Sequence, residues 1–427
     1  MTTGRLLART RRLSGDIDLV GIAGDDGLLF VREGVGLVGL GTAATIELAR
    51  RSGGLDAATV RDRLGAIAVE NEVGGPGTGS VAIGALPFAS QTPGHIVIPA
   101  IVFGRNDEGD QWVTTIGPVD QIPSDADIEI LLSRGRPSTR GFNRDASLSS
   151  TVESASSFSV RSELPPQQWC DVVSTATERI RASELDKVVL ARAIEVRADS
   201  ELRVSAVLTH LRRTHPTSLI FSVEGFVGAT PEMLVSRHGD IVRAHPMAGT
   251  APRSGDPATD ARLAQQLLDS SNTRAEHRHT IDMVHDTLLP WCSFLDEEAE
   301  PSIVAMANVQ HLATRLEGQL STPAASVLEL VSALHPTPAV GGSPRGSALE
   351  LISEIEHLDR GRYAGPVGWI DTAGNGVWAV GIRSAEFSGH TARLFAGVGI
   401  VADSEPETEL AETRAKLQTM LGAIIRP

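Results

Sequence analysis

Cysteine is nearly missing from the 427-residue chain: Cys170 and Cys292 are too few for a disulfide framework and lack the C-x-x-C spacing of a zinc site. That scarcity fits a reducing, cytoplasmic setting. No apolar run reaches the roughly 18–20 residues that span a bilayer; the best, around Ile96–Phe103, is strand-sized. Basic residues interrupt every apolar run near the N-terminus, which excludes a signal-peptide core. Excess positive charge is missing too. With 38 basic and 53 acidic residues the formal charge is −15, which argues against nucleic acid and anionic membranes as partners.

The sharpest shortage is lysine. It occurs only at positions 187 and 416, so arginine supplies the other thirty-six of the 38 basic residues. Arginine stays protonated in proteins, whereas a lysine can lose its proton when desolvated or set beside another cation. Lys187 is therefore a candidate for proton chemistry, and Lys416 a weaker one. Tyrosine is rarer still, with Tyr363 alone.

What is present is an ordinary globular composition, 41% hydrophobic and 21% charged. At roughly 150 residues per domain the length suggests two or three domains, or one unusually large α/β unit. The first 130 or so residues alternate short apolar runs with Gly-rich turns, the pattern of a strand-rich half, with one helix expected near Ala43–Arg51. From Arg134 to Phe158 the chain is rich in Ser and Arg, lacks periodicity and reads as an exposed connection. Trp169, Val172, Val173, Ala176 and Ile180 then recur at helical spacing and lead into the strand-like KVVLARAIEV, which places Lys187 at a strand mouth. Three short strands follow to Thr250, then one or two helices between Asp256 and Trp291. Asn375-Gly376 marks a hairpin, and a last helix is expected with Ser404 and Glu407 as its capping box. Long strand-rich stretches with interspersed helices favour an α+β fold with antiparallel sheets.

GLGTAA at Gly39–Ala44 has the form of a dinucleotide fingerprint, but no second strand ends in an acidic residue about twenty positions on. His277, His279 and His285 lack the His-Glu-x-x-His order of a metalloprotease. More informative are Glu276, Glu409 and Glu412. Positions 409 and 412 share a helix face, where like charges repel unless a cation such as Mg²⁺ lies over them.

The motifs collect into a family. KVVLAR at Lys187–Arg192, ATPEML at Ala229–Leu234, HPMAGT at His245–Thr250, TRAEH at Thr273–His277, HLATRLEG at His311–Gly318, HPTPAVGG at His335–Gly342, YAGPVGW at Tyr363–Trp369, Ile382-Arg383 and AGVGIV through PETELAET at Ala396–Thr413 resemble the chorismate-utilising enzymes in order and spacing. The resemblance covers about residues 160–425. Residues 1–150 resemble the family's variable, strand-rich N-terminal part loosely, chiefly in GLVGLG, and residues 160–427 its chorismate-binding part.

The resemblance implies one large α+β domain of two packed, mainly antiparallel sheets flanked by helices, in place of two or three domains. Lys187 argues against anthranilate synthases, which lack it, and Ala248 stands where aminodeoxychorismate synthases carry a nucleophilic lysine. The water-using branch remains, and HPTPA with Ala313 resembles its isochorismate-forming members, with salicylate formation or chorismate binding without turnover as alternatives. By the same resemblance Lys187 is the base, Glu232 the acid, and His335 lies near the ring. Mg²⁺ is held by Glu276 and Glu412 with Glu409 nearby; Gly249, Thr250, Tyr363, Arg383 and Gly397 contact chorismate. It also implies a monomer without a glutamine amidotransferase subunit, serving menaquinone or siderophore synthesis. One departure falls at Ser271-Asn272-Thr273, where the family usually carries Lys and an acid.

Overall fold

The structure, a computed structural model, describes residues 6–48, 50–51, 54–120, 122–134, 155–182, 185–306 and 309–427. Most of the expected Arg134–Phe158 connection therefore lies outside the described residues.

Among the described residues the strands form sheets of thirteen, nine, three and two. Their pairings are antiparallel except where Leu7–Thr10 runs parallel to Ala68–Asn71. The N-terminal strands are woven into both large sheets. Leu28–Arg32 pairs with Leu219–Val223 in the larger, and Val81–Ala85 pairs with Pro366–Asp371 in the smaller.

Period-two alternation decides which face each side chain serves. Along Leu28–Arg32, Leu28 and Phe30 join Phe221, Phe226, Ile83 and Trp369 in the layer between the two large sheets. Leu29 and Val31 point the other way, under helices that contribute Ile22, Leu208, Leu211, Leu417 and Ile424. The outer face of the nine-stranded sheet is covered by helix Val327–Leu334, whose Ser326 and Glu329 form a reciprocal capping box. No helix of the described residues is long and apolar enough to cross a membrane.

Two expectations fail locally. Residues 44–48 form a strand, not a helix, pairing antiparallel with Gly94–Ile98 so that Ile46 and Leu48 enter the core. Tertiary pairing overrides local helix preference there, and GLGTAA thereby loses the helix a dinucleotide site needs. The final helix starts at Pro406 with Glu405 as N-cap, while the Ser404 hydroxyl accepts the Val401 N–H instead of capping. The Asn375 hairpin forms, but its loop is closed by Asp371, which accepts from the Asn375 N–H and Nδ2, with Gly374 at φ 82°.

A buried ion pair ties the layers together. Arg360 donates to both oxygens of Glu356 at 2.7 and 2.6 Å and to the carbonyls of Val340 and Val189. Glu356 also accepts the Ala191 N–H at 2.7 Å, and the guanidinium lies 4.2 Å over the Phe88 ring. Breaking such a pair leaves an uncompensated buried charge, which costs about 3–5 kcal/mol. Arg360→Met should therefore lower denaturant-unfolding stability by that order, and adding Glu356→Gln should recover part of it. Additive losses in the double variant would show that the two side chains do not act as a pair.

Candidate active site

One cavity of about 300 Å³ gathers residues far apart in sequence. Lys187 opens strand Lys187–Ala198, which pairs with Thr391–Ile400, the strand bearing Gly397 and Gly399. Glycine at 399 is a matter of space: a Cβ there would stand 2.4 Å from Lys187 Cε. At Gly397 it would stand 3.0 Å from the Tyr363 hydroxyl oxygen. Tyr363 itself stacks on Phe395 at 5.1 Å, and burial pushes its phenol up to about 12.

Glu232 sits in the turn after Thr230-Pro231, where the Glu232 N–H donates to Thr230 Oγ1 and its carbonyl accepts the Val380 N–H. Its carboxyl is 5% exposed, and burial pushes its pKa up to about 7 against the opposing pull of Arg383, Lys187 and Lys416. This carboxyl therefore gains and loses its proton near neutrality.

Arg383 is buried with φ 51°, and its Nη2 lies 3.4 Å from His311 Nε2. Burial lowers its pKa from the usual guanidinium value, and its Nε has no hydrogen-bond partner among the described residues. His311 Nδ1 lies 3.2 Å from the Gly249 carbonyl and 3.1 Å from Thr250 Oγ1. A carbonyl only accepts, so Nδ1 carries the proton and Nε2 accepts from Arg383. Burial holds this imidazole down to about 3, which keeps it neutral.

An acidic wall closes the cavity. Glu276 comes from helix Ser271–Leu288, and Glu409 and Glu412 from helix Pro406–Ile425. Lys187 Nζ contacts Glu276 Oε1 at 2.6 Å, and Lys416 Nζ contacts Glu412 Oε1 at 2.6 Å. Lys416 also donates to the Gly397 carbonyl at 2.9 Å; burial pulls its pKa down, opposed by Glu412. Glu409 is raised chiefly by burial and further by Glu412 and Glu276. The departure at 271–273 serves the start of the Glu276 helix, where Ser270 Oγ accepts the Thr273 N–H.

The donor set fits a divalent cation. These are hard oxygen ligands pressed together by the fold, as their mutual effect on Glu409 records. Among the described residues no three metal-ligating side chains converge into a finished cage, yet Mg²⁺ keeps several waters and uses only one or two carboxylates.

Of the residues expected from sequence, Lys187, Glu232, Gly249, Thr250, Glu276, Tyr363, Arg383, Gly397, Glu409 and Glu412 all line this cavity. His335 does not. It is buried with Nε2 3.0 Å from the Phe88 carbonyl and its ring edge-on to Phe88, so it packs the scaffold and does not face the cavity. His311, Lys416 and Arg360 line the cavity without having been singled out for it. The motif at His311 and the second lysine were signals for two of them.

A family model described as chorismate binding enzyme matches residues 31–425. The chain belongs to the chorismate-binding enzymes. The match begins at residue 31, well before residue 160, so it takes in strands of the N-terminal part. This chorismate-binding enzyme is 41% identical over 266 residues to isochorismate synthase MenF of Bacillus subtilis, covering 61% of the chain and 56% of that relative. It is 33% identical over 347 residues to isochorismate synthase EntC of Escherichia coli, covering 80% of each. The structure of the menaquinone-specific isochorismate synthase MenF from Escherichia coli shares its fold, with a TM-score of 0.78 at 22% identity, covering 99% of this chain and 95% of that one.

The raised Glu232 carboxyl has a measurable consequence. Folded, it binds a proton to about pH 7; unfolded, only to about 4.5, so its contribution is complete below 4.5 and is lost as pH rises through 7. Glu232→Gln carries a neutral amide and escapes that loss. Its melting temperature should match wild type near pH 4.5 and exceed it near pH 8; parallel pH profiles would show that Glu232 titrates alike in the folded and unfolded chain.

Proposed function

We propose that this chorismate-binding enzyme converts chorismate to isochorismate. The observation that carries the reading is Glu232, a buried carboxyl that titrates near neutrality in a cavity lined by Lys187, Lys416 and Arg383. A dianionic substrate needs cations such as Lys416 and Arg383 inside a protein of net charge −15, and a departing hydroxyl needs an acid.

Water bonds to C2, the two ring double bonds shift, and the C4 hydroxyl leaves. Lys187 takes the proton of the entering water, and Glu232 gives its own to the departing hydroxyl, each at its own side of the cavity. Arg383, aligned by neutral His311, and Tyr363 hold the enolpyruvyl carboxylate; Arg383 Nε has a donor to spare for it. Thr250 and the backbone at Gly249 and Gly397 bound the substrate. Glu276 and Glu412, with Glu409, would hold Mg²⁺, which supplies Lewis-acid charge at the ring carboxylate. Because water is the nucleophile and Ala248 offers no amine, the reaction requires no amidotransferase subunit.

Chromatography of products from chorismate and Mg²⁺ tests this: isochorismate is expected, salicylate with pyruvate would establish the lyase alternative, and no turnover a binding role. Lys187→Ala and Lys187→Arg should each lose at least about a hundredfold in turnover, since neither supplies a proton acceptor, while chorismate binding to Lys187→Ala stays within about tenfold. An arginine variant with a tenth of wild-type turnover would move the base elsewhere. Exhaustive EDTA treatment should abolish activity and added Mg²⁺ restore it; full turnover after chelation would refute the metal assignment.

A further inference from the structure

Lys187 and Glu276 meet at 2.6 Å although they stand on different elements, the mouth of strand Lys187–Ala198 and helix Ser271–Leu288. Among the described residues one other polar contact joins that helix to the strand mouth and its pairing partner Gly342–Ser343: His279 Nε2 lies 2.5 Å from Ser343 Oγ. We propose that His279, acting through Ser343, is a positioning residue that sets how the Lys187 amine faces the water it activates. The inference rests on the reading above, in which Lys187 is the base.

Ser343 is fixed relative to the Lys187 backbone. It pairs antiparallel with Lys187, its carbonyl accepts the Asp186 N–H at 2.9 Å, and the Gly341 carbonyl accepts the Val189 N–H at 2.9 Å. Gly342 lets this segment come so near: its φ is 136°, and a Cβ there would stand 2.3 Å from the Lys187 carbonyl oxygen. Ser343 is buried in that frame, while His279 is exposed on its helix and reaches inward to it. Glu276 and His279 are three residues apart and share a helix face, so the helix meets the strand mouth at two points within one turn. The first contact is with the tip of a flexible side chain. The second grips the backbone from which that side chain projects.

This second contact bears on proton transfer and not on holding the substrate. As a base, Lys187 is a neutral amine with two N–H groups and one lone pair. Donating one N–H to Glu276 leaves the lone pair free for the water, and its direction follows the place of the Glu276 carboxylate. Without the Ser343 contact the helix can shift against the strand, and the amine turns with Glu276. A misplacement of about 1 Å at a reacting group can cost about a hundredfold in rate. Arg383 and Tyr363, which hold the enolpyruvyl carboxylate, stand outside this helix and this strand and keep their places.

Steady-state kinetics of the full chain with chorismate at saturating Mg²⁺ separates positioning from packing. His279→Leu and Ser343→Ala should each lower kcat by between about fivefold and a hundredfold, with KM within about twofold and melting temperature within about 3 °C of wild type. Both remove the same contact, so the double variant should be no slower than the slower single one. His279→Gln, whose amide both donates and accepts, should recover at least about half of the wild-type kcat. Should His279→Leu fail to fold, Ser343→Ala carries the same test. Wild-type kcat in the single variants, a change in KM alone, additive losses, or no recovery with Gln would overturn the positioning role, and an inactive Lys187→Ala in the same assay would leave the base assignment standing. Wild-type turnover by Lys187→Ala would overturn both.

Discussion

The geometry of the cavity depends on the Glu356–Arg360 ion pair. Its five hydrogen bonds join three pieces of chain, adding to the backbone pairing of Val188 with Gly342: the Lys187–Ala198 strand at Val189 and Ala191, the HPTPAVGG turn at Val340, and the helix end before Tyr363. Phe88, from the N-terminal half, lies against the guanidinium and meets His335 edge-on. A buried pair is weak evidence for stability in general, since desolvation offsets much of the attraction. Here the satisfied backbone groups are the point. Lys187 is two residues from Val189, so its place at the cavity mouth is set by a clamp at the back of the same strand.

Electrostatics within the cavity run against those of the whole molecule. The net charge is −15, yet Lys187, Lys416 and Arg383 converge on one space and Glu276, Glu409 and Glu412 face them. Their opposition raises Glu232 less than burial alone would, because all three cations pull its pKa back down. Burial alone would raise that carboxyl further, and the cations alone would lower it. The value near 7 reflects both, and it is the range in which an acid can give and regain a proton.

How much of this was legible in the sequence varies with the physics behind each residue. Thr230-Pro231-Glu232 and Ile382-Arg383 could be read because their motifs resemble those of the chorismate-utilising enzymes. The Glu409, Glu412 spacing could be read because a helix face follows from number alone. Long-range pairing could not. Ala44–Leu48 is a strand only because Gly94–Ile98 lies beside it, and Ser404 loses its capping role to a local turn. His335 and His311 show the same limit: both head a family-like motif, and only the packing of Phe88 turns the first away while Gly249 and Arg383 draw the second in. Lys416 was visible as one of two lysines, but its burial against Gly397 was not.

Arg383 gathers these constraints at one residue. A non-glycine residue at φ 51° costs about 1 kcal/mol or more of backbone strain, and a buried guanidinium with an unpartnered Nε adds a desolvation penalty. Tyr363, Glu412 and Glu232 offset part of the burial cost, but within the described residues Nε finds no acceptor and Nη2 only neutral His311, at 3.4 Å. Strain and unmet hydrogen bonding at a single cation are tolerable when a ligand supplies the missing anion, and costly otherwise. The protein thus holds Arg383 in a conformation that favours a bound carboxylate over an empty cavity, and His311, kept neutral by burial, aims the guanidinium without competing with the substrate for its charge.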